Sequence, residues 1–168
     1  MTETRTSTAI RGVALGLTVV GIVAAPARGQ EIDQREAVLA VAEAALEAIT
    51  QEDMAAVADL FLDEAVTFAV TADGMDIDLR TMSVGDWRAM TPAADLVERG
   101  FDAEVRVAGP VANVWLPYDF YIDGALSHCG VDVFTLLRTE LGWRIAGLTF
   151  TRSQPPECAL HPEGPPAD

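Results

Sequence analysis

The feature that most constrains this fold is the Asp123-Gly124 pair, which stands between two long runs of alternating apolar and polar residues, Val111 to Ile122 and Leu126 to Thr139. Asp-Gly is a favoured pair for a two-residue type I′ turn, so the runs are expected to fold back on each other as an antiparallel hairpin. Glu140-Leu141-Gly142 leads into a third run, Trp143 to Arg152. Upstream, Asp95 to Val107 alternates through Leu96, Val105 and Val107, and Ala108-Gly109-Pro110 turns the chain. Four long antiparallel strands are therefore expected in the C-terminal half.

The N-terminal half reads as helices. Leu39, Ala42, Leu46 and Ile49 recur at helical spacing. Asp53 suits the N-cap of a second, shorter helix with Met54, Val57 and Phe61 on one face. Ala65 to Val70 is a short strand candidate, and residues 71 to 82 read as a polar connection. Asp73, Asp76 and Asp78 cluster there, but without the spacing or the closing glutamate of a calcium loop, so a solvated acidic loop and no metal is expected. Ser83 followed by Asp86 opens a third helix, Ser83 to Met90, stopped by Pro92, with Trp87 and Met90 on its apolar face. The first two amphipathic helices need a sheet to pack on, and the order helix, helix, strand, helix and four strands makes the domain α+β.

The chain's ends read differently. Arg5 and Arg11 precede the uncharged run Gly12 to Ala25, and Ala27-Arg28-Gly29 suits a signal peptidase. The run has 14 residues, short of the roughly 20 that span a bilayer. Residues 1–29 are thus expected to be a signal peptide, residues 30–153 the domain and residues 154–168 a proline-rich disordered tail, in a protein exported to the periplasm or secreted. His161 in that tail is expected to be solvated. Without its first 29 residues the chain keeps 8 of its 11 basic and 25 of its 26 acidic residues, a formal charge of −17. Such a surface repels phosphate backbones and anionic headgroups, which argues against nucleic acid and, once the leader is cleaved, against membrane binding.

Taking Asp123-Gly124 as a two-residue turn pairs Ile122 with Ala125 and sets a register. Asp119 is then expected opposite His128, Trp115 opposite Asp132 and Asn113 opposite Phe134. Val114, Leu116, Tyr118 and Phe120 gather with Cys129, Val131, Val133, Thr135 and Leu137 on an apolar face turned toward the helices. Asp119 and His128 could form an acid-base dyad, the carboxylate raising the imidazole pKa, although a structural cross-strand pair is the favoured reading. His128 and Asp132 lie four residues apart along one strand, about 13 Å, and are not expected to touch. The same strand geometry brings Cys129 opposite about Ser153, within reach of Cys158, and an oxidising compartment favours a Cys129–Cys158 disulfide.

The element order, with Glu52-Asp53 opening the second helix, Leu60-Phe61-Leu62-Asp63-Glu64-Ala65 closing it and Gly142-Trp143-Arg144-Ile145 leaving the hairpin, resembles the nuclear transport factor 2-like superfamily, the SnoaL-like cone fold. YDFYIDGALSHCGVDVF, then GWRI and Thr149-Phe150-Thr151-Arg152, is similar to its lumazine-binding-like branch. The resemblance covers about Asp33 to Arg152 and implies three helices on a strongly bent antiparallel sheet, a cone with an internal pocket. Members use that pocket as isomerases, cyclases, hydrolases, dehydratases or plain binders, and many dimerise through the convex face. Laid on the ketosteroid isomerase pattern, the positions of its tyrosine, base and acid hold Ala45, Ala69 and Val133, so that chemistry is not expected.

The pocket expected from these readings is mainly apolar, lined by Phe68, Trp87, Leu116, Tyr118, Phe120, Val133 and Phe150, with Tyr118 as its hydrogen bonder. The leading expectation is a non-catalytic domain that binds a small, partly apolar molecule without a cofactor. The alternatives are an enzyme using Asp119 and His128, with Asp132 as a further candidate, and an interaction module that dimerises through Trp115, Tyr121 and Phe134, the last compatible with binding and expected alongside it.

Overall fold

A computed structural model describes residues 28–73 and 76–167. The expected signal peptide lies almost wholly outside the described residues.

Helix α1 (Arg28–Thr50) buries Val38, Ala42, Ala45, Leu46 and Ile49, the stripe its helical periodicity sets out. Helix α2 (Met54–Asp59) starts where expected, with the Asp53 carboxylate accepting from the Ala56 N–H at 2.9 Å. Phe61, expected on that helix, instead opens strand β1 (Phe61–Asp73) and is buried. The supposed acidic loop is a hairpin: β1 pairs with β2 (Asp76–Ser83), Asp73 opposite Asp76. Charged residues hid β2 because it lies at the sheet edge with both faces wet, so no alternation marks it. Ser83 and Asp86 make the expected capping box at the start of α3 (Val84–Ala89). The run from Asp95 is two strands, β3 (Leu96–Gly100) and β4 (Glu104–Ala108), with Asp102 between them at φ 48°. Both pair with β5 (Val111–Ile122), and Pro117, which has no N–H to give a ladder, sits between them and accepts from the Phe101 N–H at 3.0 Å. Strands β6 (Ala125–Thr139) and β7 (Gly142–Arg152) complete the sheet.

The order is β2-β1-β7-β6-β5-β3, with β4 also on β5. The sheet is mixed rather than wholly antiparallel, because β1 runs parallel to β7. The core lies between this sheet and the three helices, with Val114, Leu116, Phe134, Leu136, Ile145 and Leu148 on the sheet side.

Asp123 and Gly124 both have positive φ, 51° and 73°, and Ile122 pairs with Ala125 as expected. Two residues on, the register breaks. Tyr121 pairs with Leu126 but Phe120 pairs with His128, leaving Ser127 as an extra residue on β6. Beyond this bulge every partner is displaced by one from the expected register: Asp119 faces Cys129, Trp115 faces Val133 and Asn113 faces Thr135. The face shared with Tyr118 and Phe120 is therefore His128, Gly130, Asp132, Phe134 and Leu136. Cys129, Val131 and Val133 turn to the outer face instead.

Cys129 and Cys158 form a disulfide, and Cys129 pairs through its backbone with Ser153. The tail runs along the outer face rather than free in solvent. The Gln154 side-chain amide donates to the Ser127 carbonyl at 2.6 Å, and the His161 N–H donates to Asp119 at 3.0 Å. His161 also stands edge-on to Phe101 at 5.5 Å, so it is a packing residue and not a bystander.

Candidate functional site

A cavity of about 250 Å³ opens between the helices and the inner sheet face. Its floor is apolar: Ala45, Leu46 and Ile49 from α1, Phe61 from β1, Phe134 from β6 and Leu148 from β7. Of the seven expected lining residues, Trp87, Tyr118, Phe120 and Phe150 are on its wall. The other three are not. Leu116 is inward but taken up in the core, while Phe68 and Val133 lie on the outer face, the latter because of the bulge.

The polar members of the wall are Glu98, Tyr118, His128, Asp132 and Arg152. Asp132 is 2 % exposed and its Oδ2 has no hydrogen-bond partner. Burial, and then the nearby Glu98 charge, raise its pKa well above the ordinary carboxylate range. Glu98, on the inner side of β3, is pushed up to about 8 by burial. Thr50 fixes its backbone, since the Thr50 Oγ1 accepts from the Glu98 N–H at 3.0 Å and donates to the Glu98 carbonyl at 3.4 Å. Helix α1 thus positions the acid through its last residue.

His128 is 8 % exposed and packs against Phe120 at 4.9 Å and edge-on to Tyr118 at 5.7 Å. Burial and then the Arg152 charge lower its pKa to about 4, the reverse of the raised value a dyad with Asp119 would give. The ring is a neutral donor and acceptor at physiological pH. Tyr118 is less available than expected. Its hydroxyl donates to the Thr151 carbonyl at 2.8 Å, so it can only accept from a ligand, and burial first of all raises its pKa. That carbonyl is diverted from the β6 ladder, and the Val131 N–H bonds the Thr151 Oγ1 at 3.0 Å instead. Gly130 permits the arrangement, because a Cβ there would overlap the Thr151 carbonyl oxygen.

Asp119 lies on the other side of the sheet. It is fully buried, takes a bidentate bond from Arg99 at 3.0 and 2.7 Å and accepts from the tail at His161. The expected Asp119–His128 dyad does not form, and Asp119 is a structural anion saturated by its partners. The aromatics expected to anchor a dimer are also separated. Phe134 is buried at the cavity, Tyr121 is buried under the Arg99 guanidinium at 5.3 Å, and Trp115 alone is open, at 51 %.

The residues missed by sequence reasoning are Glu98 and Arg152. Glu98 carried a signal: two residues after Leu96 on an alternating run, it shares that residue's face. The acid that the isomerase pattern sought at Val133 stands one residue away, at Asp132. Among the described residues, no group of three or more His, Cys, Asp or Glu side chains could hold a metal ion.

A sheet wrapped on three helices around a partly polar cavity defines the class. The chain has the nuclear transport factor 2-like fold, also described as cystatin-like. It is similar to a nuclear transport factor 2-like protein from Novosphingobium aromaticivorans, at TM-score 0.62 and 15 % identity over 74 % of this chain and 85 % of that one. It is also similar to a protein of unknown function from Mycobacterium tuberculosis, at TM-score 0.62 and 16 % identity over 79 % of each chain. A third likeness is to a ketosteroid isomerase-like protein from Erwinia carotovora atroseptica, at TM-score 0.54 and 16 % identity over 73 % of this chain and 98 % of that one. No family model and no curated protein matches the chain. Identities this low define the fold and leave activity to be argued from the site.

Proposed function

We propose that the domain binds a small, partly apolar molecule in the inner cavity and holds one of its oxygens through Asp132. The observation that carries this reading is the unpartnered Oδ2 of a carboxyl buried in a mainly apolar wall. Leaving a buried polar group unpaired costs about 1–3 kcal/mol, a cost that a ligand's hydrogen bond offsets. Burial favours the protonated form of Asp132, and that form donates to a ligand oxygen. Thermal shift with 2-acetylnaphthalene against 2-ethylnaphthalene tests this: the ketone should stabilise the protein more than its hydrocarbon counterpart. No stabilisation by either compound, or equal stabilisation by both, removes the reading.

A second reading has its own support. Glu98 and Asp132 influence each other's ionisation, so one can release a proton while the other keeps its own. Once Glu98 has released its proton, toward pH 8, the pair suits removal of a proton beside a ligand carbonyl by Glu98 while Asp132 donates to the carbonyl oxygen. Deuterium exchange into the methyl group of 2-acetylnaphthalene, lost on Glu98→Gln, would identify catalysis; exchange at the uncatalysed rate leaves a binder. Both readings replace the Asp119–His128 enzyme.

The disulfide supports export, since such bonds persist in oxidising compartments. Among the described residues no helix is long and apolar enough to cross a membrane. Association through the outer face would rest on Trp115, and light scattering of wild type and Trp115→Arg tests it: a monomer at high concentration removes the dimer.

A further inference from the structure

The inner cavity meets a second, more polar groove of about 750 Å³, and the two share only His128 and Arg152 as walls. Arg80 and Asp78 of β2, Ser127 of the bulge, and Gln154 and Glu157 of the tail border this groove. Its two arginines are not equivalent. Arg80 is paired with Asp78 at 3.1 Å and is largely exposed. Arg152 is partly buried and has no carboxylate within 4.0 Å among the described residues. A guanidinium withdrawn from water without a counter-ion is poorly satisfied, and its planar donor fork matches a carboxylate. In a chain with a formal charge of −15, carboxylates are abundant, yet none is seated here.

The surroundings fit an anion at this point. Arg152 lies close enough for its charge to act on both His128 and Tyr118. His128 is neutral and adds an N–H or a lone pair beside the guanidinium, with the Ser127 hydroxyl 3.0 Å from its Nδ1. Glu157 is the carboxylate bordering the same groove without an ion pair, and a bound anion would have to sit on the cavity side of it. The orientation of a ligand follows from the other end. Glu98 and Asp132 line the inner cavity and not the groove, so an anion placed toward them would meet acids. An anionic group therefore belongs at the junction and an apolar body inside.

We propose that the ligand of this cavity is an amphipathic carboxylic acid, its apolar body enclosed by the inner wall and its carboxylate held by Arg152 where cavity and groove meet. This rests on the cavity-binding reading above and names the chemical class it takes.

The test is calorimetric titration of the full chain with 2-naphthoate and with 2-naphthalenemethanol, which share a bicyclic body and differ in charge. In wild type the acid should bind at least about tenfold tighter than the alcohol, and the gap should narrow with added salt. Arg152→Gln should remove the preference while leaving the alcohol's affinity within about twofold. Arg80→Gln should leave the preference intact. If Arg152→Gln melts early, Arg152→Lys replaces it and should lose part of the preference, since the charge survives and the fork does not. Equal affinity for acid and alcohol in wild type overturns this inference and spares the cavity reading. So does a preference that survives loss of Arg152, or one that depends on Arg80. Failure of both compounds to bind overturns the cavity reading and this inference with it.

Discussion

Asp132 is the residue at which stability and function pull apart. It is buried with an unpartnered oxygen, so an apolar side chain of similar size should serve the fold better. Asp132→Leu is expected to raise unfolding stability by about 1–2 kcal/mol in urea titration and to erase the preference for ketone over hydrocarbon. A destabilised Leu variant would mean that Asp132 has a structural partner. The acids also set the pH response. Glu98 keeps its proton to about pH 8 when folded but releases it near its ordinary 4.5 when unfolded. The folded state binds more protons between those values, so this contribution falls as pH rises. His128 works the other way: its ordinary 6.5 drops to about 4, so its contribution is complete above 6.5 and fades as pH falls toward 4. Between pH 4.5 and 6.5 the two slopes oppose each other. Above 6.5 only the acids act, and Glu98 alone should lower stability by about 2 kcal/mol up to pH 8.5, with Asp132 acting in the same direction. Chemical denaturation across that range measures it, and Glu98→Gln should make the decline shallower by about that amount.

At the level of elements, the helix caps, the turn at Asp123-Gly124 and the ends of β5 to β7 were legible because each depends on local chemistry: an Asp or Ser side chain at a helix start, a pair of residues that accept positive φ, a run of alternation. The faces of the long hairpin were not. Register propagates from the turn, and a single bulge residue, Ser127, has no composition that announces it. That one residue carried His128 and Asp132 inward and took Val133 out of the pocket. β2 was illegible for another reason, since an edge strand with wet faces looks like a loop. Two element-scale predictions follow from how β6 is tied to its surroundings. Gly130→Ala forces a Cβ into the Thr151 carbonyl and should cost about 2 kcal/mol or more, read as a lowered urea midpoint. Cys158→Ser opens a link between residues 29 apart and should cost about 3 kcal/mol in the same titration. The same change should speed exchange at the His161 amide, whose acceptor is Asp119.

For the molecule as a whole, the tail and the helices cover opposite sides of one sheet. The helices and the inner face enclose the cavity, while Cys158 and His161 bind the tail to Cys129 and Asp119 on the outer face. Gln154 and Glu157 then border the polar groove, so the segment that seals the outside also shapes the approach to the inside. The bulge at Ser127 bears on how such proteins are compared with one another. One added residue near a turn shifts the spatial frame of everything downstream on that strand, while every amino acid keeps its identity. Two relatives with the same fold, one with the insertion and one without, would present alternate halves of the same strand to their cavities. Column-by-column comparison would then match an interior acid of one to a surface valine of the other, and would report a lost activity where only the frame had moved.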